Sequence, residues 1–136
     1  MTRDESGVAV LELVLLVPVF MLMTYVVVGL GRIGVARQDI DGAARDAARA
    51  GSIARSADDA TAAATSAASD VLASHNITCG DLAVNVDTSE FRAGGWVRVD
   101  VSCTVSMADV AGMWMPGTKV MHARSVAVVD AFRRTG

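Results

Sequence analysis

Residues 13 to 31 constrain this chain more than any other stretch, because from Leu13 to Gly31 there is no charged side chain. As a helix the run covers ~28 Å at 1.5 Å per residue, close to the ~30 Å hydrocarbon thickness of a bilayer. A strand of that length is far outside the usual range. Thr24 and Tyr25 are its only side chains with hydrogen-bonding groups, and Pro18, lacking an N–H, is expected to kink the helix in a way membrane helices tolerate. The alternative, a core helix buried on all sides, needs more surrounding protein than 136 residues supply. The run therefore reads as a membrane span.

Glu12 stands at the head of this run, where a carboxylate is costly. Neither an ordinary secretory signal nor a plain signal anchor accounts for it. The leading segment MTRDES sets Asp4 and Glu5 against Arg3, the apolar run is long for a signal core, and Gly29-Leu30-Gly31 makes a poor cleavage site. Gly7, apolar Val8 and a glutamate four residues further on resemble instead the processing site of type IV prepilins. The resemblance implies cleavage after Gly7 by a prepilin peptidase on the cytoplasmic side, with Val8 as the new N-terminus. A free ammonium on Val8 and the Glu12 carboxylate then lie one helical turn apart on one face. Each charge is cheaper when paired, within the chain or with the Val8 amine of a neighbouring subunit.

Charge placement argues the other way on sidedness. Arg32 and Arg37 follow the span while only Arg3 and the initiator amine precede it, a bias that puts the C-terminal part inside. The processing site and the two cysteines favour export and outweigh that bias.

Residues 24 to 34, TYVVVGLGRIG, contain Gly29-x-Gly31-x-x-Gly34, the spacing of a dinucleotide-binding turn. The apolar run before it is too long for one strand, and twenty residues on the chain reads AARAGSIARSADD rather than a strand ending in an acid. The glycines are expected to let another helix approach closely.

The stretch GRIGVARQDIDGAARDAARAGSIA, residues 31 to 54, is similar to the TadE-like proteins, minor pilins or pseudopilins of tight-adherence (Tad/Flp) pilus systems. Gly31, Arg32, Arg37, Gln38, Ala43, Ala44, Arg45, Ala47, Ala48, Arg49 and Ala50 carry the likeness, together with the spacing of Glu12 and Pro18. The resemblance covers residues 5 to 54. It implies a role in assembling an adhesive Flp-type filament, with the prepilin peptidase, a TadF-like pseudopilin, the major pilin and the inner-membrane platform as partners. Read from the residues alone, the alanines make a slim helix, and Asp41 precedes Arg45 in the favourable i,i+4 order. The arginines taken singly read as a solvated face.

Gly51-Ser52 interrupts that helix, and Ser56 with Asp59 marks a new start for a second, alanine-rich helix over 57–74, ended by His75-Asn76. Strict alternation then predicts strands at 82–87 and 96–106, with a less regular third at 120–130. Turns are expected at 92–95 and at Met115-Pro116-Gly117-Thr118, where Pro and Gly occupy type II positions. The expected fold class is α+β: a long N-terminal membrane-spanning helix, a second Ala-rich helix and a small three-stranded antiparallel sheet packed on the helices. The expected division is a leader over 1–7, span and extended helix over 8–54, and an extracytoplasmic α+β domain over 55–136.

Cys79 precedes the first strand and Cys103 lies on the apolar face of the second. Outside the cytoplasm they can form a disulfide worth ~3 kcal/mol in the chain-entropy model; inside it they are two buried thiols. Met107, Met113, Met115, Met121 and Trp114 read as core or edge packing, or as a partner-docking patch. The net charge of −3 argues against nucleic-acid binding. No catalytic pairing, metal-binding cluster or cofactor loop emerges, so the function points to assembly rather than chemistry. The competing reading is a membrane-anchored or signal-cleaved extracellular binding protein unrelated to pili.

Overall fold

The computed structural model describes residues 2–112 and 115–132, with side chains from Ser6 onward. Met113 and Trp114, members of the expected methionine–tryptophan cluster, lie outside the described residues.

Helix α1 runs from Thr2 to Ser52 and continues through Pro18 without a break. Its 51 residues make a rod of about 76 Å at 1.5 Å per residue. The two halves have different surroundings. From Val8 to Val28 nearly every apolar side chain is bare, Phe20 at 77% and Met21 at 71% exposure. From Ala36 onward one stripe is buried: Ala36, Ile40, Ala43, Ala44, Ala47 and Ala48 recur at helical spacing. The globular unit thus takes the C-terminal half of α1 into its own core.

Helix α2 spans Ala57–Ser74. Ser56 caps it by accepting the Asp59 N–H at 3.1 Å. At the other end Asn76 turns left-handed (φ 56°), and the Ile77 N–H bonds back to the Leu72 carbonyl at 2.9 Å, the closure asparagine can make after a helix. Ala60, Ala64, Ala68 and Leu72 form its buried face.

The sheet is a meander of β1 (Leu82–Asp87), β2 (Trp96–Ser106) and β3 (Thr118–Val128), in the order β1-β2-β3 and antiparallel throughout. A five-residue helix, α3 (Met107–Ala111), follows β2. β2 alternates between buried and half-buried residues along its whole length, with Val97, Val99, Val101, Cys103 and Val105 inward. The fold class expected from the sequence is the one observed. The third strand begins and ends two residues earlier than 120–130: Gly117 (φ 100°) completes the turn, and beyond Val128 the chain binds the β1–β2 loop through Val129 N–H to Gly95 O at 2.9 Å.

In β3 the bulky residues Val120, Val126 and Val128 face out and are at least half exposed, while Met121, Ala123, Ser125 and Ala127 pair with the inward residues of β2. Apart from Met121 the inward residues of β3 are small, and with the alanine stripe of α1 they let helix and sheet approach closely. A methyl group built on Gly51 would stand 3.2 Å from Val97 Cγ1 and 3.7 Å from Ala64 Cβ, and its closest backbone neighbour is the Ala60 carbonyl at 3.4 Å. Packing this tight leaves no room for a larger side chain. Ala64→Leu is expected to lower stability by about 1–3 kcal/mol, whereas Ala62→Leu on the exposed side of α2 stays within about 0.5 kcal/mol. Thermal unfolding of the two variants checks this.

Cys79 and Cys103 form a disulfide that ties the segment after α2 to the centre of the sheet. Beside it the Gly80 N–H donates to Thr104 O (2.7 Å) and the Thr104 N–H to Asp81 O (3.2 Å), extending the β1–β2 pairing.

Candidate functional site

The site singled out by the sequence is the first half of α1. Gly7 and Val8 lie inside the helix and are exposed, and a side chain added at Gly7 would meet nothing within 4 Å. Glu12 lies one turn beyond Val8, also exposed, and makes no ion pair among the described residues. A helix sets residues four apart on one face, so Val8 and Glu12 are placed side by side. Thr24 satisfies its hydroxyl within the rod by donating to the Phe20 carbonyl at 2.8 Å. Leu13, Leu16, Val17, Phe20 and Met21 line a shallow apolar surface that is left uncovered among the described residues. Among the described residues, one helix, within Ser6–Ser52, is long and apolar enough to cross a membrane, and almost none of its apolar stretch is buried.

Gly29, Gly31 and Gly34 all lie within α1, so the strand-to-helix turn that a dinucleotide would need is missing there. A Cβ at Gly31 or Gly34 would meet nothing within 4 Å, which leaves that side of the helix open.

The residues that carry the family likeness divide by role in packing. Ala43, Ala44, Ala47 and Ala48 are fully buried against α2 and the sheet. Arg32, Arg37, Gln38, Arg45 and Arg49 are exposed. Asp39 faces the end of α2, its Oδ1 3.4 Å from His75 Nδ1. The sequence treats His75 only as a helix end, because its partner is 36 positions away and nothing local announces it. Of the methionines, Met121 is buried in the core and Met107 and Met115 are half-buried.

The outer face of the sheet sets charged pairs among the exposed valines of β3. Arg124 pairs with Asp100, Arg98 reaches Asp87 at 3.9 Å, and the Arg98 guanidinium lies 4.5 Å from the Trp96 ring centroid. Hydrogen bonds from Ser89, from its side chain and from its N–H, hold the Asp87 carboxyl below the usual carboxylate range, with a weaker pull from Arg98.

A small α+β unit joined to one long helix with a bare apolar half places the chain in the class of proteins with one N-terminal helix long and apolar enough to cross a membrane. Within that class the chain is similar to the TadE-like proteins: residues 7–49 match that family's model, a stretch opening at Gly7 and closing at Arg49. The match bears out the likeness read from residues 5 to 54. No curated protein and no solved structure matches the chain.

Proposed function

We propose that the chain is a TadE-like minor pilin or pseudopilin that acts in assembly of a Tad/Flp-type adhesive pilus, and that it is not an enzyme. The observation that carries this reading is the family match, which begins at the glycine where a prepilin would be cut. The bare helix that follows supports it, since a rod with apolar residues exposed all round needs lipid or other helices as surroundings. On this reading residues 1–7 are the leader, 8–54 the span with its extension, and 55–136 the extracytoplasmic unit that closes around the end of α1.

The steps are physical. A prepilin peptidase cuts between Gly7 and Val8. The new Val8 ammonium and the Glu12 carboxylate neutralise each other, in one chain or across two, and this sets the axial register of neighbouring helices. The apolar surface of α1 packs against the major pilin and a TadF-like pseudopilin at the inner-membrane platform. The disulfide favours placing the sheet outside the cytoplasm, against the bias of Arg32 and Arg37. Sequencing the N-terminus of the chain purified from its native membrane tests the reading. A start at Val8 is expected; a start at Met1 or near Arg32 overturns it, the former in favour of a plain anchor and the latter of a secreted domain.

A further inference from the structure

The last turns of the apolar run meet the start of β3. There Lys119, Val120 and His122 come against Leu30, Ile33 and Arg37 around a cleft of about 390 Å³. Its lining holds two permanent cations and an imidazole and no carboxylate. Arg37 and Lys119 are exposed and make no ion pair among the described residues. On the sheet and its loops the other cations are matched, Arg92 with Glu90, Arg98 with Asp87 and Arg124 with Asp100. Arg32, Arg45, Arg49 and Arg55 of the helical layer and its connection, like Arg37, make no ion pair among the described residues. What sets Arg37 and Lys119 apart is that they share one apolar-walled cleft. The walls are apolar, with Leu30 61% and Val120 50% exposed.

Height along the helix says what meets this cleft. Leu30 belongs to the uncharged run, while Arg37 stands about 9 Å beyond Gly31 at 1.5 Å per residue. That rise carries it from the hydrocarbon edge into the headgroup layer of a bilayer. Unmatched cations over an apolar floor at that level fit a molecule with a phosphate at one end and acyl chain at the other. We infer that this cleft binds an anionic phospholipid of the leaflet the folded unit faces, with Arg37 and Lys119 on the phosphate and Leu30 and Val120 against its apolar part. The inference rests on α1 spanning the membrane. It also gives the arginines after the span a use other than setting orientation: they are held by headgroups on the side where the sheet lies.

The test uses the full chain reconstituted in phosphatidylcholine vesicles with a trace of spin-labelled phosphatidylglycerol or spin-labelled phosphatidylcholine, reading the fraction of probe immobilised by the protein. The native chain is expected to prefer the anionic probe. The R37A/K119A variant is expected to lose about fivefold of that preference, and R55A/R92A, which leaves the cleft intact, none. Undiminished preference in R37A/K119A would overturn the inference. So would displacement of the anionic probe by inorganic phosphate beyond the effect of chloride at equal ionic strength, which would make the cleft a free-anion site. Loss of self-association in R37A/K119A with lipid preference unchanged would assign the cleft to a second copy instead. Alkaline extraction of the same vesicles separates the two readings: release of the native chain overturns the span and the cleft together, whereas retention without preference overturns the cleft alone.

Discussion

On the pilin reading, replacing Glu12 with glutamine is expected to leave the protein in the membrane but impair its association with the pilus assembly. Glutamine keeps the length and shape of the side chain and deletes only the charge. Insertion does not suffer, since a charged residue at the edge of hydrocarbon opposes insertion and its loss makes the helix easier to embed. Association does suffer. If the chain is cut after Gly7, as proposed, a Val8 ammonium left without its carboxylate must enter the packed helices unneutralised. The full cost of stranding one member of a buried pair is about 3–5 kcal/mol. Near the membrane edge, where water and headgroups share the charge, on the order of 2 kcal/mol is a fair expectation, or roughly thirtyfold in association. Alkaline extraction of membranes reports the insertion, and recovery of the chain with sheared filaments and platform proteins reports the assembly. Assembly at native levels in E12Q would end the charge-pairing role while leaving the family likeness standing. Glu12→Asp offers a further check, since it keeps the charge but draws it back by one methylene and should fall between the two.

The elements of this fold were legible in the sequence because each is written in a local pattern. The uncharged run, the Ser56–Asp59 cap, and the alternation from Trp96 to Ser106 each specify their structure without reference to anything distant. The third strand was less well bounded because its valines mislead. Val120, Val126 and Val128 look like core and are the outward residues, while alanine and serine take the inner positions where α1 comes close. What was illegible depends on long-range placement. Nothing near Asp39 announces His75, and nothing near Arg37 announces Lys119. The candidate site itself divides in the same way. Gly7, Val8 and Glu12 are neighbours in sequence and on the helix, so their relation is visible at once. The cleft beside Arg37 exists only because a meander of three strands returns Lys119 to the foot of the helix. The split of α1 into a bare half and a packed half was, by contrast, legible, since the uncharged run reads as a membrane span and the alanine-rich stretch as a slim helix that can pack closely.

Removing the disulfide is expected to be the largest single loss of stability in the folded unit. The crosslink closes a loop with a sequence separation of 24, for which the chain-entropy model gives about 3 kcal/mol. A folded unit of roughly a hundred residues holds only about 5–15 kcal/mol in total, so the bridge is a large fraction of it. Its position adds to the effect. Cys103 is fully buried between Val101 and Val105 on the inward face of the central strand, and Cys79 anchors the segment that carries the chain from α2 into β1. Without the link, β1 is a six-residue edge strand whose remaining ties are its pairing with β2 and packing against α2. A variant with Cys79→Ala and Cys103→Val suits the measurement, because valine matches the neighbouring inward residues and avoids burying a hydroxyl. In detergent micelles, guanidinium unfolding followed by tryptophan fluorescence should show a midpoint well below that of the native chain. Reduction of the native chain should reproduce the shift, and the bare half of α1 should remain helical in both cases. A midpoint unchanged by both treatments would mean that helix and sheet packing alone hold the unit. Thiol labelling of intact cells adds the compartment: if the sheet lies outside the cytoplasm, neither cysteine should react with a maleimide until a reductant is supplied.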